Sequence, residues 1–241
     1  MYKIALVEYL NSIPFVKSIE QSGLKDQLTI IKANPKECAN LFRNGEVDIA
    51  LLPIGAIQDD PEIQIITDYC IGCEGAVRTV CIYSDLPFDQ ITSIREDSES
   101  RTSNLLIKVL NEHHWSKKQN ISIVPFDAVA EASLLIGDKA LMAEKKYKYV
   151  LDLGLAWKKL TGLPFVFAVW VCRPTVDPIF IKELNGIFKD FLETEDLFSK
   201  LQLSDDSISN LKQYFEKNIS YQLDDTKKTA MKLFLEYTKN I

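Results

Sequence analysis

Along the first fifty residues, short apolar runs of strand length at 3–7, 28–31 and 47–51 alternate with stretches at 13–19 and 35–42 whose apolar positions recur as on a helix. Strand–helix alternation of this kind predicts βαβ units and a parallel sheet. Pro35 stands where a helix can begin and Gly45 where it can end. The run from Val47 then reads as a buried strand stopped at Pro53. Two longer extended runs rich in Val, Phe, Ile and Trp follow, at 76–84 and 164–172. Between them a second α/β pattern is expected: a helix over 103–113, strands at 121–124 and 132–136, and a helix over 155–160.

The simplest arrangement makes the two long runs crossing strands between two lobes. Lobe one would then comprise residues 1–83 and 172–241, and lobe two residues 84–171. The remainder is helical, with Phe180, Leu184, Ile187, Phe188 and Phe191 on one face, then Ile208, Leu211 and Phe215, then Met231, Phe234 and Tyr237. These helices are expected to pack on lobe one. A two-lobed α/β chain carries a cleft between its lobes, a favoured place for a small ligand.

Composition narrows the ligand. The 241 residues are 46% hydrophobic, enough for a sizeable core, and 28 Lys plus Arg against 34 Asp plus Glu leave a net charge of -6. Without a basic run, non-specific attraction to nucleic acid or anionic lipid is not expected. A small anion responds to a few local groups instead. The longest apolar run, 165–172, is strand-sized and far short of the roughly 20 residues of a membrane span. The N-terminus turns polar at Glu8 and lacks a signal-peptide pattern, so a cytoplasmic location is expected. Five cysteines in mostly apolar surroundings fit reduced core thiols. Cys70-Ile71-Gly72-Cys73 has redox-motif spacing but follows a strand-like run without a helix behind it, and is expected to be structural. The two histidines, His113 and His114, are adjacent and point different ways at a helix end, so no metal centre is expected.

Three segments carry candidate chemistry. Ser100-Arg101-Thr102-Ser103 precedes the apolar-periodic helix through Leu105, Leu106, Val109 and Leu110, gathering hydroxyls and free N–H groups beside a guanidinium. That is an anion site in kind, and equally the pattern of a Ser/Thr cap beside a surface arginine. Tyr9-Leu10-Asn11-Ser12 follows the first strand, where an open sheet faces its crevice. Asn11 and Ser12 are therefore placed either to meet a ligand or to cap a helix. Ile136-Gly137-Asp138 ends a strand, with Gly137 permitting close backbone approach and Asp138 either facing the ligand or capping the next helix. Trp157 and Trp170 are expected in the core.

Taken in order, Tyr9-Leu10-Asn11 with Pro14-Phe15, the run from Gly45 to Pro53, Ser100-Arg101-Thr102-Ser103, the run from Leu135 to Leu141, Asp152-Leu153-Gly154 and the run from Thr161 to Trp170 resemble the chorismate dehydratase family of the futalosine route to menaquinone. The resemblance covers roughly residues 3–172. It implies a periplasmic-binding-protein-like type II fold with the active site between the lobes. It also implies loss of water from chorismate to give 3-[(1-carboxyvinyl)oxy]benzoate, without metal or organic cofactor. On this resemblance Asn11 orients substrate or leaving hydroxyl, and Thr79 supplies a hydroxyl where serine is the commoner residue. Arg101 with Ser100, Thr102 and Ser103 binds a substrate carboxylate. With no histidine or clearly placed carboxylate as base, a carboxylate of the substrate is the candidate proton acceptor. Two alternatives stand beside this reading: 1,4-dihydroxy-6-naphthoate synthase of the same route, whose family uses a histidine in the cleft, and a non-catalytic small-acid-binding protein.

Overall fold

A computed structural model of the chain describes residues 1–57, 63–115, 120–203, 211–239 and 241; Ile208, expected on a helix face, lies outside them. The chain opens with β1 (Tyr2–Val7), α1 (Ile13–Glu20), β2 (Leu28–Ala33), α2 (Pro35–Arg43) and β3 (Ile49–Pro53), and β1 pairs in parallel with both β2 and β3. Helix α2 begins and ends where its sequence says it should. The Asn34 side chain accepts from the Glu37 N–H, Pro35 needs no intrahelical acceptor, and Gly45 adopts φ +77° just past the end. All five residues of β3 are buried, as a central strand covered on both faces requires.

After β3 come α3 (Ile54–Ile57) and β4 (Ile65–Cys73), and then the second lobe. It contains β5 (Val80–Ser84), β6 (Ser93–Arg95), α4 (Arg101–Leu110), β7 (Ser122–Val124), β8 (Ala132–Ile136), α5 (Gly137–Ala143) and β9 (Tyr149–Asp152). Helix α6 (Leu153–Thr161) leads back to β10 (Phe165–Cys172), followed by α7 (Pro178–Leu192), α8 (Leu197–Leu201), α9 (Leu211–Gln213), β11 (Ser220–Gln222) and α10 (Asp225–Thr238). The strands form a six-stranded sheet, β11-β4-β10-β3-β1-β2, and a five-stranded one, β7-β6-β8-β5-β9. This is the expected two-sheet α/β architecture.

The crossings differ from expectation. Tyr83 pairs with Ser133 and Val150 in the second sheet, and Val171 pairs with Ala50 in the first, so both crossings fall earlier in the chain than residues 83 and 171. The outward crossing is the connection 74–79, and the return is α6 with its left-handed cap at Gly162 (φ +75°). The run 76–84 is not one strand because Arg78 turns to φ +62° and the N–H groups of Val77 and Arg78 both donate to the Asp152 carboxylate, at 2.9 and 2.7 Å. Burial raises Asp152 above the usual carboxylate range while these N–H donors oppose the shift.

Trp170 on β10 meets Phe15 of α1 edge-on at 5.2 Å and Phe188 of α7 at 5.1 Å, which packs both helices on the first sheet. Each buried aromatic of this kind contributes roughly 1.5–3 kcal/mol by area. Trp157 is also buried, its indole N–H donating to the Pro164 carbonyl at 2.9 Å. Helix α7 turns Phe180, Leu184, Phe188 and Phe191 inward as expected. Helix α10 contacts β10 and also α4, so it bridges the two sheets rather than covering only the first. Among the described residues, no helix is long and apolar enough to cross a membrane.

Candidate active site

The ends of β1, β3 and β8 and the start of α4 converge on a small cavity between the two sheets. Its polar lining is Tyr9, Asn11, Thr79, Ser100, Thr102, Ser103 and the backbone at Gly137, and Ile71, Val80, Ile136 and Phe167 are among its apolar walls. Of the candidate residues, Asn11, Thr79, Ser100, Thr102, Ser103 and Gly137 therefore share one space. Ser12, Arg101 and Asp138 do not line it.

Each placement has a local cause. Helix α4 starts at Arg101 with Ser100 as its cap: the Ser103 N–H donates to Ser100 Oγ at 3.1 Å, and the Ser100 hydroxyl donates to Ser103 Oγ at 2.8 Å. In the first turn the N–H groups of Arg101 and Thr102 have no acceptor within the helix, and the helix end carries partial positive charge. Successive helical residues are rotated by about 100°, so Thr102 and Ser103 turning inward carry Arg101 away. Arg101 is exposed and lines a neighbouring groove with Lys36, Arg43, Lys108, Glu96 and Asp97, in which Lys108 pairs with Glu96 at 2.8 Å. The guanidinium expected to anchor a carboxylate inside the cleft thus stands at its flank.

Ser12 is buried behind Asn11, and its hydroxyl donates to Asn11 Oδ1 at 3.4 Å. The Tyr221 hydroxyl donates to the Asn11 carbonyl at 3.0 Å. Thr79 sits in the outward crossing, its carbonyl accepting from the Gly137 N–H at 2.8 Å and its Oγ1 lying 3.4 Å from the Val77 carbonyl and 3.5 Å from the Tyr214 hydroxyl. Asp138 does not cap α5: its Oδ1 accepts from the Leu10 N–H of the other lobe at 3.1 Å.

That contact is one of several between the lobes. The Tyr9 hydroxyl donates to Glu99 at 2.9 Å, the Lys36 N–H donates to the Glu99 carbonyl, and the Gly55 N–H donates to Thr102 Oγ1 at 3.0 Å. A Cβ on Gly55 would lie 3.0 Å from the Thr102 backbone, so any larger residue there would push α3 and α4 apart by a few tenths of an ångström. The cleft is closed over the cavity. Lys139 pairs with Glu99 at 2.7 Å and holds its carboxyl below the usual range. Burial, reinforced by Glu99, pushes the Tyr9 phenol well up, so it stays protonated as a donor.

None of the described residues lining the cavity is Asp, Glu, His, Lys or Arg. His113 instead stacks on Tyr237 at 4.3 Å. Burial pushes the Cys70 thiol up to about 12, which disfavours thiolate chemistry at the Cys70–Cys73 pair. Among the described residues no group of three His, Cys, Asp or Glu is placed to hold a metal ion. The arrangement offers donors for a carboxylate, hydroxyl and amide groups, and apolar walls for a ring. Tyr9, Glu99, Ile71 and Phe167 were not among the candidates. Tyr9 and Phe167 lie in the very segments that pointed here, whereas nothing in the sequence marks Glu99 or Ile71.

The family model described as menaquinone biosynthesis matches residues 2–240. A chorismate dehydratase of Campylobacter jejuni is 31% identical over 249 residues, covering 97% of this chain and 96% of that protein. A chorismate dehydratase of Thermus thermophilus is 25% identical over 197 residues, 71% of this chain and 70% of that protein. Among solved structures, a protein from Archaeoglobus fulgidus superposes with a TM-score of 0.70 at 13% identity, over 99% of this chain and 97% of that one. The ligand-binding component of an ABC-type import system from Staphylococcus aureus gives 0.67 at 11% identity, over 100% and 92%. A Candida albicans protein with the generic periplasmic binding protein fold gives 0.62 at 15% identity, over 100% and 90%. At such identities the structural likeness speaks for the fold: two lobes of the periplasmic-binding-protein kind.

Proposed function

The chain belongs to the menaquinone biosynthesis family, and from that membership we propose that it is a chorismate dehydratase, a carbon–oxygen lyase that removes water from chorismate to give 3-[(1-carboxyvinyl)oxy]benzoate. The observation that carries this reading is the cavity lining, which among the described residues combines hydrogen-bonding groups and apolar walls without a carboxylate or imidazole. Such a lining suits a reaction whose driving force lies in the substrate. Loss of a ring proton and the neighbouring hydroxyl makes an aromatic ring, and the elimination involves no net redox change that would require an electron carrier.

In this reading the start of α4, with Ser100, Thr102 and Ser103, takes one substrate carboxylate through hydroxyls and first-turn N–H groups. Asn11 and Thr79 orient the substrate and its leaving hydroxyl. The backbone at Gly137 and the side chains of Ile71, Val80 and Phe167 shape the space for the ring. Since a general base normally contributes about 10²–10⁴ in rate and none of the described lining residues is a carboxylate or imidazole, a carboxylate of the substrate itself accepts the ring proton. Arg101, outside the cavity, adds positive charge beside the cleft. The reading includes a cytoplasmic location, which five free cysteines fit.

The experiment is to mix the purified protein with chorismate and follow the ultraviolet spectrum and the products by chromatography. Formation of the enolpyruvyl benzoate is expected, and its absence at high enzyme concentration overturns the proposal. A second reading, a non-catalytic acid-binding protein, draws on the import-system likeness; it requires chorismate to be bound and released unchanged. The naphthoate-forming alternative lacks its histidine among the described lining residues.

A further inference from the structure

Lys145-Lys146-Tyr147-Lys148-Tyr149-Val150 is a run of six consecutive exposed residues leading from the end of α5 into β9. Its last two residues belong to β9, the outermost strand of the second sheet, whose outer edge carries no further strand among the described residues. Met142 on α5 and Leu155 on α6 are exposed as well, so apolar side chains flank the run on both sides. Leu155, Lys158 and Lys159 share one face of α6, since positions three and four apart on a helix are neighbours.

The chain as a whole carries a charge of -6, and by net charge it is not drawn to anionic surfaces. This segment departs from that average. Between Met142 and Lys159 stand five lysines and two carboxylates, Glu144 and Asp152, and both carboxylates are already engaged. The Arg78 guanidinium holds Glu144 through two contacts of 2.8 Å, and Asp152 accepts from the Val77 and Arg78 N–H groups. Asp85, the residue after Ser84 opposite Tyr149, brings one carboxylate to that end of the sheet. Lysines at a sheet edge guard it against pairing with another chain. A guard alone does not call for Met142, Tyr147, Tyr149, Val150 and Leu155 to be exposed beside it. Lysines mixed with tyrosine and aliphatic side chains are instead the composition of a surface that lies on a lipid interface.

We propose that this edge of lobe two is a docking surface for an anionic lipid membrane, with Lys145, Lys146 and Lys148 meeting lipid phosphates and Tyr147, Tyr149 and Val150 entering the headgroup layer. A lysine stem lies along apolar surface while its ammonium stays in the polar layer, and a tyrosine ring settles where one end is apolar and the other wet. An acidic strand adding to β9 fits less well, because β9 has four residues and the exposed positions extend beyond it to Met142 and Leu155. The strand register leaves the cleft free. Strand β5 begins at Val80, which lines the cavity, and meets Tyr149 only at its far end, Ser84. Docking of this kind does not depend on chorismate being the substrate.

The test is co-sedimentation of the whole chain with vesicles of phosphatidylcholine alone and of equal parts phosphatidylcholine and phosphatidylglycerol, at about 0.1 M salt. Partition into the anionic vesicles is expected at about tenfold or more above the neutral ones, and it should fall as salt is raised. Lys145→Gln, Lys146→Gln and Lys148→Gln combined should lower that partition by about 100-fold, and each substitution alone by about fivefold, with melting temperature as the control for folding. Absence of partition, equal partition into both kinds of vesicle, or a loss of less than about threefold in the folded triple variant overturns the proposal. Binding of polyglutamate through the lysine run without binding of vesicles also overturns it, and assigns the surface to an acidic protein instead.

Discussion

Replacing Gly137 by alanine strains two features of the closed cleft. The residue sits at φ +60°, where a side chain costs about 1–2 kcal/mol. The added Cβ would stand 2.7 Å from two ring carbons of Tyr9 and 2.9 Å from a third, in the opposite lobe. Overpacking of this kind costs about 1–3 kcal/mol, and the ring can yield only by loosening its hydroxyl from Glu99. Urea unfolding should therefore show a loss of about 2–5 kcal/mol in Gly137→Ala. In a Tyr9→Ala background the ring is absent and only the backbone part remains, so the two substitutions should couple by about 1–3 kcal/mol. Effects that add within about 0.5 kcal/mol would refute the reasoning, since Gly137 would then not be making room for Tyr9 and the lobes would not meet as described.

The Glu99 carboxyl, held low by Lys139, stabilises the fold above its unfolded pKa of about 4.3 and loses that contribution as pH falls through the lower folded value. The gap in melting temperature between wild type and Glu99→Gln should accordingly be widest near neutrality and narrow on acidification; parallel curves would contradict it. Thr102→Val leaves the Gly55 N–H without its acceptor and should cost about 1–3 kcal/mol in urea unfolding. A loss below about 0.5 kcal/mol would show that this contact does not hold α3 to α4. Arg101→Ala should raise the KM for chorismate by less than about threefold at 0.15 M salt, where charges are screened over about 8 Å, and more at low salt. A tenfold rise at 0.15 M salt, about 1.4 kcal/mol, would instead put the guanidinium on the substrate.

Local pattern carried much of the fold. Helix α2 is readable because Asn34, Pro35 and Gly45 each satisfy a backbone requirement within a few residues, and β3 because a fully apolar run has one stable place. Strand β9, with Tyr149 and Val150 exposed at the edge of its sheet, leaves no signal in the sequence, since its burial does not alternate. The break at Arg78 is not legible in the sequence because its cause, Asp152, lies 74 residues away.

The sequence by itself determined that this is a two-lobed α/β chain and which loops meet in its cleft, because strand ends, caps and glycines are set by neighbours a few positions along. It did not determine which side of a loop faces the ligand. Whether Arg101 or Thr102 turns inward depends on Gly55 seating against the start of α4, and whether Asp138 meets a ligand depends on the Leu10 N–H from the other lobe. Tyr9 with Glu99 and Thr79 with Tyr214 are 90 and 135 residues apart. Only folding brings such groups within hydrogen-bond distance, and so only the tertiary structure decided which residues line the site and which stand behind it.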